Sequence, residues 1–227
     1  MPQLKIAVLG AGPGLGASVA RRFLEEGYAA TLVSRRGFTV EGAVARKADL
    51  TDPAQIRDVI DDVDVLYFGP AVMTPIVPLP SAGPDDVRRS LEVLLLPAVT
   101  AVQAALDRNV RAILLPGGLS GLHPMPMLGS LAPASAALRM YALTLHDALE
   151  ERGVYVGVLT IGGLIARGDI HAMVTAQHEG EPLETLDPDA IADAAWQMVA
   201  ARTPAEHISS TLQPNGADRM ADESLSG

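Results

Sequence analysis

Gly10-Ala11-Gly12-Pro13-Gly14-Leu15-Gly16 stands between a short apolar run, Leu4 to Leu9, and a helical pattern from Ala17 to Glu26 that Gly27 stops. A strand, a glycine-rich turn and a helix in that order make the context in which backbone amides can cradle a pyrophosphate. Gly10 is expected to allow the sharp turn off the strand, Gly14 to let the backbone approach phosphate without a Cβ in the way, and Gly16 to let the helix pack close to the sheet. Gly12, Pro13 and Leu15 complete the turn. The helix start then offers unpaired N–H groups and a partial positive charge to the phosphates. The stretch predicts a dinucleotide site.

The same alternation continues outward from this unit. Strand patterns are expected at Ala29–Val33, weakly at 42–48, at Val63–Phe68, Val110–Leu115 and Val154–Ile161, with a last one at 207–212. Helical patterns cover 53–60, 85–108, 131–152 and 188–201. Strands alternating with helices imply a parallel sheet wound in the right-handed sense. The predicted fold class is therefore α/β: a single Rossmann-type doubly wound domain over residues 1–212, with a parallel sheet of about seven strands and helices on both faces. Residues 213–227 are small and polar and read as a C-terminal tail. The composition agrees, at 48 % hydrophobic but only 4 % aromatic, because strands buried on both faces call for an aliphatic core.

The net charge of −10 repels nucleic acid and anionic membranes, so no nucleic-acid or membrane partner is expected. The chain has no cysteine, which excludes disulfides, thiolate zinc sites and a cysteine nucleophile. The five histidines are scattered without metal-ligand spacing, and no metal is expected. The first residues lack the pattern of a signal peptide, and the apolar stretch from Leu91 to Leu106 reads as too short and too polar to span a bilayer, so a cytoplasmic protein is expected.

The end of the second strand chooses the cofactor. An NAD-preferring site needs a carboxylate there for the ribose 2′-OH. This strand ends Ser34-Arg35-Arg36, with no acid. Two guanidiniums and a hydroxyl suit a 2′-phosphate, which arginine binds in a bidentate fork. The predicted cofactor is NADP(H).

Gly10-x-x-x-Gly14-x-Gly16, Ser34-Arg35-Arg36 and Asp49-Leu50-Thr51-Asp52 together resemble the short-chain dehydrogenase/reductase superfamily, and the likeness runs from Lys5 to about Ser210. The resemblance implies that Asp49 and Leu50 contact the adenine, and that Gly69 and Pro70, after the fourth strand, border the ribose and nicotinamide. Gly117, after the fifth strand, joins the cofactor site on the same grounds. Ile161-Gly162-Gly163 resembles the segment that lines the nicotinamide amide, with Gly162 as its retained glycine. The helix that the superfamily carries between the second and third strands is missing from the pattern.

The catalytic residues that the resemblance implies are replaced. Aligning the motifs sets Val93 at the family's Asn, Gly118 near its Ser, Leu131 at its Tyr and Ser135 at its Lys. The only lysines, Lys5 and Lys47, lie early in the chain, so none is expected near that site. Losing a general acid costs on the order of 10²–10⁴ in rate unless another group serves. Ser120 and His123, just past the fifth strand, are the candidate catalytic residues: a hydroxyl to orient a carbonyl, and a group that titrates near neutrality. Met125 and Met127 are candidates for an apolar wall, while Tyr141 and His146 read as packing groups. Three readings stand open at this point: an atypical NADP(H)-dependent oxidoreductase acting on a small carbonyl or enone-type substrate, an NADP(H)-binding isomerase or cyclase, and a non-catalytic NADP(H)-binding sensor or partner protein.

The helices at 85–108 and 131–152 are apolar on more than one face, which predicts a second burial partner. In the superfamily these helices pair across a two-fold axis, implying a homodimer or homotetramer. Residues 166–187, with His171, Met173 and His178, are expected to form a lid over a small-molecule substrate.

Overall fold

The computed structural model describes residues 2–177 and 183–212, so His178 and the tail at 213–227 lie outside the described residues. β1 (Lys5–Leu9) leads through the glycine turn into α1 (Leu15–Glu25) and β2 (Ala29–Ser34). A turn and extended chain, without a helix, connect β2 to β3 (Val44–Lys47). Then come α2 (Pro53–Val59), β4 (Val65–Phe68), α3 (Pro84–Leu106), β5 (Ala112–Gly118) and α4 (Leu131–Leu149). β6 (Tyr155–Gly162), β7 (Leu164–Ile165), α5 (Asp169–Gln177), β8 (Thr185–Leu186), α6 (Pro188–Ala201) and β9 (Glu206–Ser210) complete the described chain.

Seven parallel strands form one sheet in the order β3-β2-β1-β4-β5-β6-β9. The strand period of two divides its core. Ala7, Leu9, Leu66, Phe68, Ile113 and Leu115 face α2, α3 and α4, while Ile6, Val8, Leu32, Tyr67 and Leu114 face α1 and α6. On the second face, Phe23, Tyr28 and Trp196 meet edge to face at centroid distances of 5.2–5.8 Å and fasten α1 to α6.

Several boundaries differ from the sequence pattern. The weak third strand shrinks to Val44–Lys47, and the last strand starts at Glu206 and stops at Ser210. α4 ends at Leu149, with a turn carrying the chain to Gly153. β5 runs on through Pro116-Gly117-Gly118, which pair with Leu159, Thr160 and Ile161 of β6. Proline fits there because the pairing of β5 with β4 stops at Leu114, leaving the later residues a neighbour on one side only. α3 also corrects the estimate made from Leu91–Leu106. At 23 residues it is long and apolar enough to cross a membrane, yet Ala98, Ala101, Val102 and Ala105 are fully buried against the sheet and α4.

One polar network ties α4 to the sheet edge. Arg139 Nε and Nη2 donate to Glu206 Oε1 and Oε2 at 2.8 and 2.6 Å, and the Thr160 hydroxyl donates to Oε1 at 2.5 Å. The Arg139 hydrogen bonds, helped by Thr160, hold the Glu206 carboxyl below the usual carboxylate range. Removing one partner leaves the other charge largely buried and unpaired. We therefore expect Arg139→Leu to lower the unfolding free energy by about 3 kcal/mol, measured by urea denaturation. A carboxyl with a depressed folded pKa stabilises above its unfolded pKa and loses that contribution as pH falls through the folded value. The stability gap between wild type and Glu206→Gln is accordingly expected to be full at neutral pH and to narrow in acid.

Candidate cofactor and active site

The strand order reverses between β1 and β4, and the two loops leaving these strands meet there. Gly10 has φ +89°, and a Cβ on it would overlap the Cα and N of Pro70 and lie 2.7 Å from the Gly69 carbonyl carbon. Its N–H and that of Ala11 both donate to the Val33 carbonyl, at 2.9 and 3.0 Å, which anchors the turn to β2. The helix then begins: Ala17 N–H donates to Gly12 O and Ser18 N–H to Gly14 O. α1 has no side-chain N-cap and no acid in its first turn, so no side chain of its own occupies its leading N–H groups.

Two of the glycine roles change. A Cβ on Gly16 would lie 3.0 Å from Ala11 Cα, so this residue packs the helix start against the turn itself rather than against the sheet. A Cβ on Gly14 would lie 2.9 Å from Gly168 Cα, so the close backbone approach at Gly14 is made by the segment entering α5. Gly12 keeps open space, its nearest neighbour being Asp169 Oδ2 at 3.9 Å from a built Cβ. Pro13 is half-buried, and Leu15 joins the core beneath α1.

Ser34 shapes the basic turn. Its Oγ accepts from Phe38 N–H at 2.8 Å, and its carbonyl accepts from Gly37 N–H and Ala48 N–H. Arg35 and Arg36 are exposed. Arg36 Nη2 lies 2.7 Å from Asp169 Oδ2, so the first residue of α5 reaches across to the turn. Lys47 pairs in register with Ser34, and its side chain runs along Gly37. Lys47 thus adds a third cation beside the arginine turn. Asp49 Oδ1 accepts from both the N–H and the hydroxyl of Thr51, at 2.9 and 2.8 Å. These bonds hold the Asp49 carboxyl below its ordinary range, and the nearby Arg35 charge adds to the effect. Leu50 is buried beside it.

Beyond β4, the chain from Gly69-Pro70 crosses to the start of α4. Val77 O accepts from Ser130 N–H at 2.8 Å, and Val77 N–H donates to Ser130 Oγ at 3.2 Å. Gly129 allows this contact, since a Cβ on it would lie 2.8 Å from the Val77 carbonyl carbon. The end of β5 lies alongside. Gly117 has open space on its side-chain face, and a Cβ on Gly118 would meet Ser120 Oγ at 3.4 Å and Ser135 Oγ at 3.6 Å. Ser120 is buried, and among the described residues its hydroxyl is the one buried side-chain polar atom without a hydrogen-bond partner. Gly121 presses this turn onto α4, with a built Cβ 2.7 Å from the Ser135 carbonyl oxygen.

The structure thus brings Gly118, Ser120 and Ser135 together. His123 is half-buried five residues past the end of β5, with Leu119 O accepting from its backbone N–H. Leu131 opens α4 and is half-buried against the core. Val93 lines a groove with Thr51, Pro53 and Ile56, on the α2 side of α3. Gly162 is engaged elsewhere than its motif implied. A Cβ on it would lie 2.6 Å from Leu119 Cδ2, and its carbonyl accepts from Ser210 Oγ and from the N–H groups of Thr211 and Leu212. Tyr141 packs on the core, and His146 Nδ1 lies 2.6 Å from Val156 O, so both are structural.

A glycine turn at the reversal point of a parallel sheet, flanked by a basic turn, is the arrangement of a Rossmann-type fold. The family model described as short chain dehydrogenase matches residues 5–169, and the chain belongs to that family. No curated protein matches the sequence significantly. Among solved structures, a short chain dehydrogenase/reductase family protein superposes with a TM-score of 0.78 at 22 % identity, over 91 % of this chain and 95 % of its own. A short chain dehydrogenase from Burkholderia cenocepacia J2315, solved in complex with NADP, gives 0.73 at 21 % identity, over 91 % and 96 %. A short chain oxidoreductase from Pseudomonas aeruginosa PAO1, described as containing an atypical catalytic center, gives 0.74 at 17 % identity, over 94 % and 98 %.

The glycine geometry separates two substitutions only two residues apart. Gly10→Ala meets both a positive φ and backbone atoms and is expected to cost roughly 2 kcal/mol or more. Gly12→Ala meets neither and is expected to stay within about 0.5 kcal/mol of wild type. Thermal unfolding of the two variants measures the difference.

Proposed function

We propose that the protein is an atypical NADP(H)-dependent oxidoreductase acting on a small carbonyl or enone-type substrate. The observation that carries the cofactor is the basic turn: Arg35, Arg36 and Lys47 at the end of β2 and β3, with no acid at the strand end. The uncapped start of α1 and the open side of Gly12 suit a pyrophosphate. Asp49 and Leu50 then flank the adenine side, and Gly69, Pro70 and Gly117 the nicotinamide side. Burkholderia cenocepacia's enzyme, of the same fold, is solved with NADP.

When bound, NADPH supplies a hydride to the carbonyl carbon or the enone. This chain's residues must hold the substrate oxygen and deliver a proton. Leu131 and Ser135 stand at the positions the family gives to a phenol and an ammonium, so the chain is an atypical member lacking that acid. The buried Ser120 hydroxyl, unpartnered and on the Gly118 face with Ser135, is suited to orient the oxygen after a turn about its Cα–Cβ bond. His123 is the proton donor in this reading. A second reading, an NADP(H)-binding protein without hydride transfer, rests on the same two replacements.

The apolar side chains of Leu96 on α3 and Met140 on α4 are 54 % and 60 % exposed, which supports a homodimer or homotetramer built through these helices.

Isothermal titration tests the cofactor. NADPH is expected to bind at least tenfold more tightly than NADH, and Arg35→Ala to remove most of that difference. Equal affinities, unchanged in the variant, would sink the 2′-phosphate assignment. Asp169→Asn frees Arg36 and removes a nearby negative charge, so NADPH affinity is expected to rise about three- to fivefold at low salt.

Ser120→Ala separates a functional hydroxyl from a structural one. An unpaired buried hydroxyl destabilises its fold, so the alanine variant is expected to be as stable as wild type or about 1 kcal/mol more stable, while turnover with NADPH and a carbonyl panel falls at least tenfold. A destabilised variant with unchanged turnover would assign Ser120 to packing.

A further inference from the structure

The charged residues of this chain are absent from one part of it. Residues 65–84, 112–138 and 153–166 contain no Asp, Glu, Lys or Arg, in a protein that is 19 % charged. These runs are β4, β5 and β6 with the loops that leave their carboxyl ends. The strands are buried and call for no charge. The loops are different: Met73, Ile76, Leu79 and Met127 are 48, 43, 48 and 68 % exposed, and there too no charge appears. Charge returns at the amino ends of the same strands, where Asp64 pairs with Arg111 at 3.1 Å. At the carboxyl edge it returns beside the glycine turn, on Arg35, Arg36, Lys47, Asp49 and Asp169, and just past the third run on Arg167, which is paired with Asp187 and Asp189.

Because β4, β5 and β6 are adjacent and parallel, their three loops leave from one edge of the sheet. The first of them starts at Pro70, against Gly10 of the cofactor turn, and by Val77 is bonded to Ser130, one residue before α4. It therefore spans the distance between the cofactor turn and the region of Gly118, Ser120 and Ser135. An exposed apolar rim that ends at a cofactor turn marks a mouth for a small molecule rather than a flat surface for a macromolecule. Desolvating a formal charge against such walls is costly, since His123, the proton donor in the reading above, is the one side chain in the three runs able to carry a charge near neutral pH. A neutral oxygen, by contrast, meets uncharged hydroxyls.

We infer that the substrate is an uncharged, predominantly apolar carbonyl compound, and that carboxylate- or phosphate-bearing substrates are excluded. This rests on the oxidoreductase reading above. The flexible thioethers of Met73 and Met127 suit apolar bodies of varied shape.

The test uses the full chain loaded with NADPH and matched pairs of probes: 2-decanone against 9-oxodecanoate, and 1,4-naphthoquinone against its 2-sulfonate. Binding is read by isothermal titration and turnover by NADPH oxidation, with Met127→Lys and Ile76→Lys run beside wild type. The neutral member of each pair is expected to bind at least tenfold more tightly, and the lysine variants to narrow that ratio about threefold or more by gaining affinity for the anion, with NADPH affinity unchanged. Equal or tighter binding of the anionic members would overturn the inference, as would NADPH binding with no affinity for any probe, or ratios that the lysine variants leave unmoved. Self-association that either lysine variant abolishes would assign the rim to a second copy and overturn it as well. Failure of NADPH itself to bind would overturn the cofactor reading instead, so the two failures are distinguishable.

Discussion

The contact between Gly10 and the Gly69-Pro70 backbone is the constraint on which the rest of the site depends. It forces two loops that are far apart in sequence to touch at the point where the sheet changes direction. No side chain fits between them, and the positive φ of Gly10 turns the chain away just after β1. Everything downstream takes its position from this meeting. α1 starts at this reversal point, the loop after β4 is launched toward Ser130, and the crevice of the parallel sheet opens above both.

Much of this was legible before any coordinates. The alternation of elements, the glycine turn, the absent helix between β2 and β3 and the limits of α6 follow from periodicity and punctuation. What could not be read was pairing across space. Lys47 joins the basic turn because strand register sets it opposite Ser34, and register is invisible in a single strand's sequence. Ser135 meets Gly118 and Ser120 because Gly121 lets the turn after β5 press onto α4. The motifs likewise did not show the protein neighbours of Gly14 and Gly162: Gly168 in one case, Leu119 and the residues around Ser210 in the other. A motif names a residue type at a spacing. It does not say which neighbour requires the missing Cβ.

The two halves of the carboxyl edge are built on opposite electrostatic plans. On the β2–β3 side, cations and hydrogen-bonded carboxylates sit in water, where their interactions are specific but individually weak. On the β4–β6 side, the walls carry no formal charge, and an unpaired hydroxyl there keeps more of its hydrogen-bonding strength because little water competes for it. In the proposed reading, Ser120 gains in capacity to bind an oxygen what it forgoes in stability, and a weaker donor counts for more in such surroundings.

The ion pair between Arg36 and Asp169 carries a thermodynamic consequence. Arg36 already has an anionic neighbour in the protein itself, so a phosphate arriving there exchanges one ion pair for another rather than creating the first. Dissolved salt screens the pair that is lost and the pair that is gained alike. Discrimination by this arginine is therefore a difference between two similar terms, modest in size and buffered against ionic strength. Arg35 has the Asp49 charge nearby but no ion pair at hydrogen-bonding distance among the described residues, and in the proposed reading it supplies the salt-sensitive share.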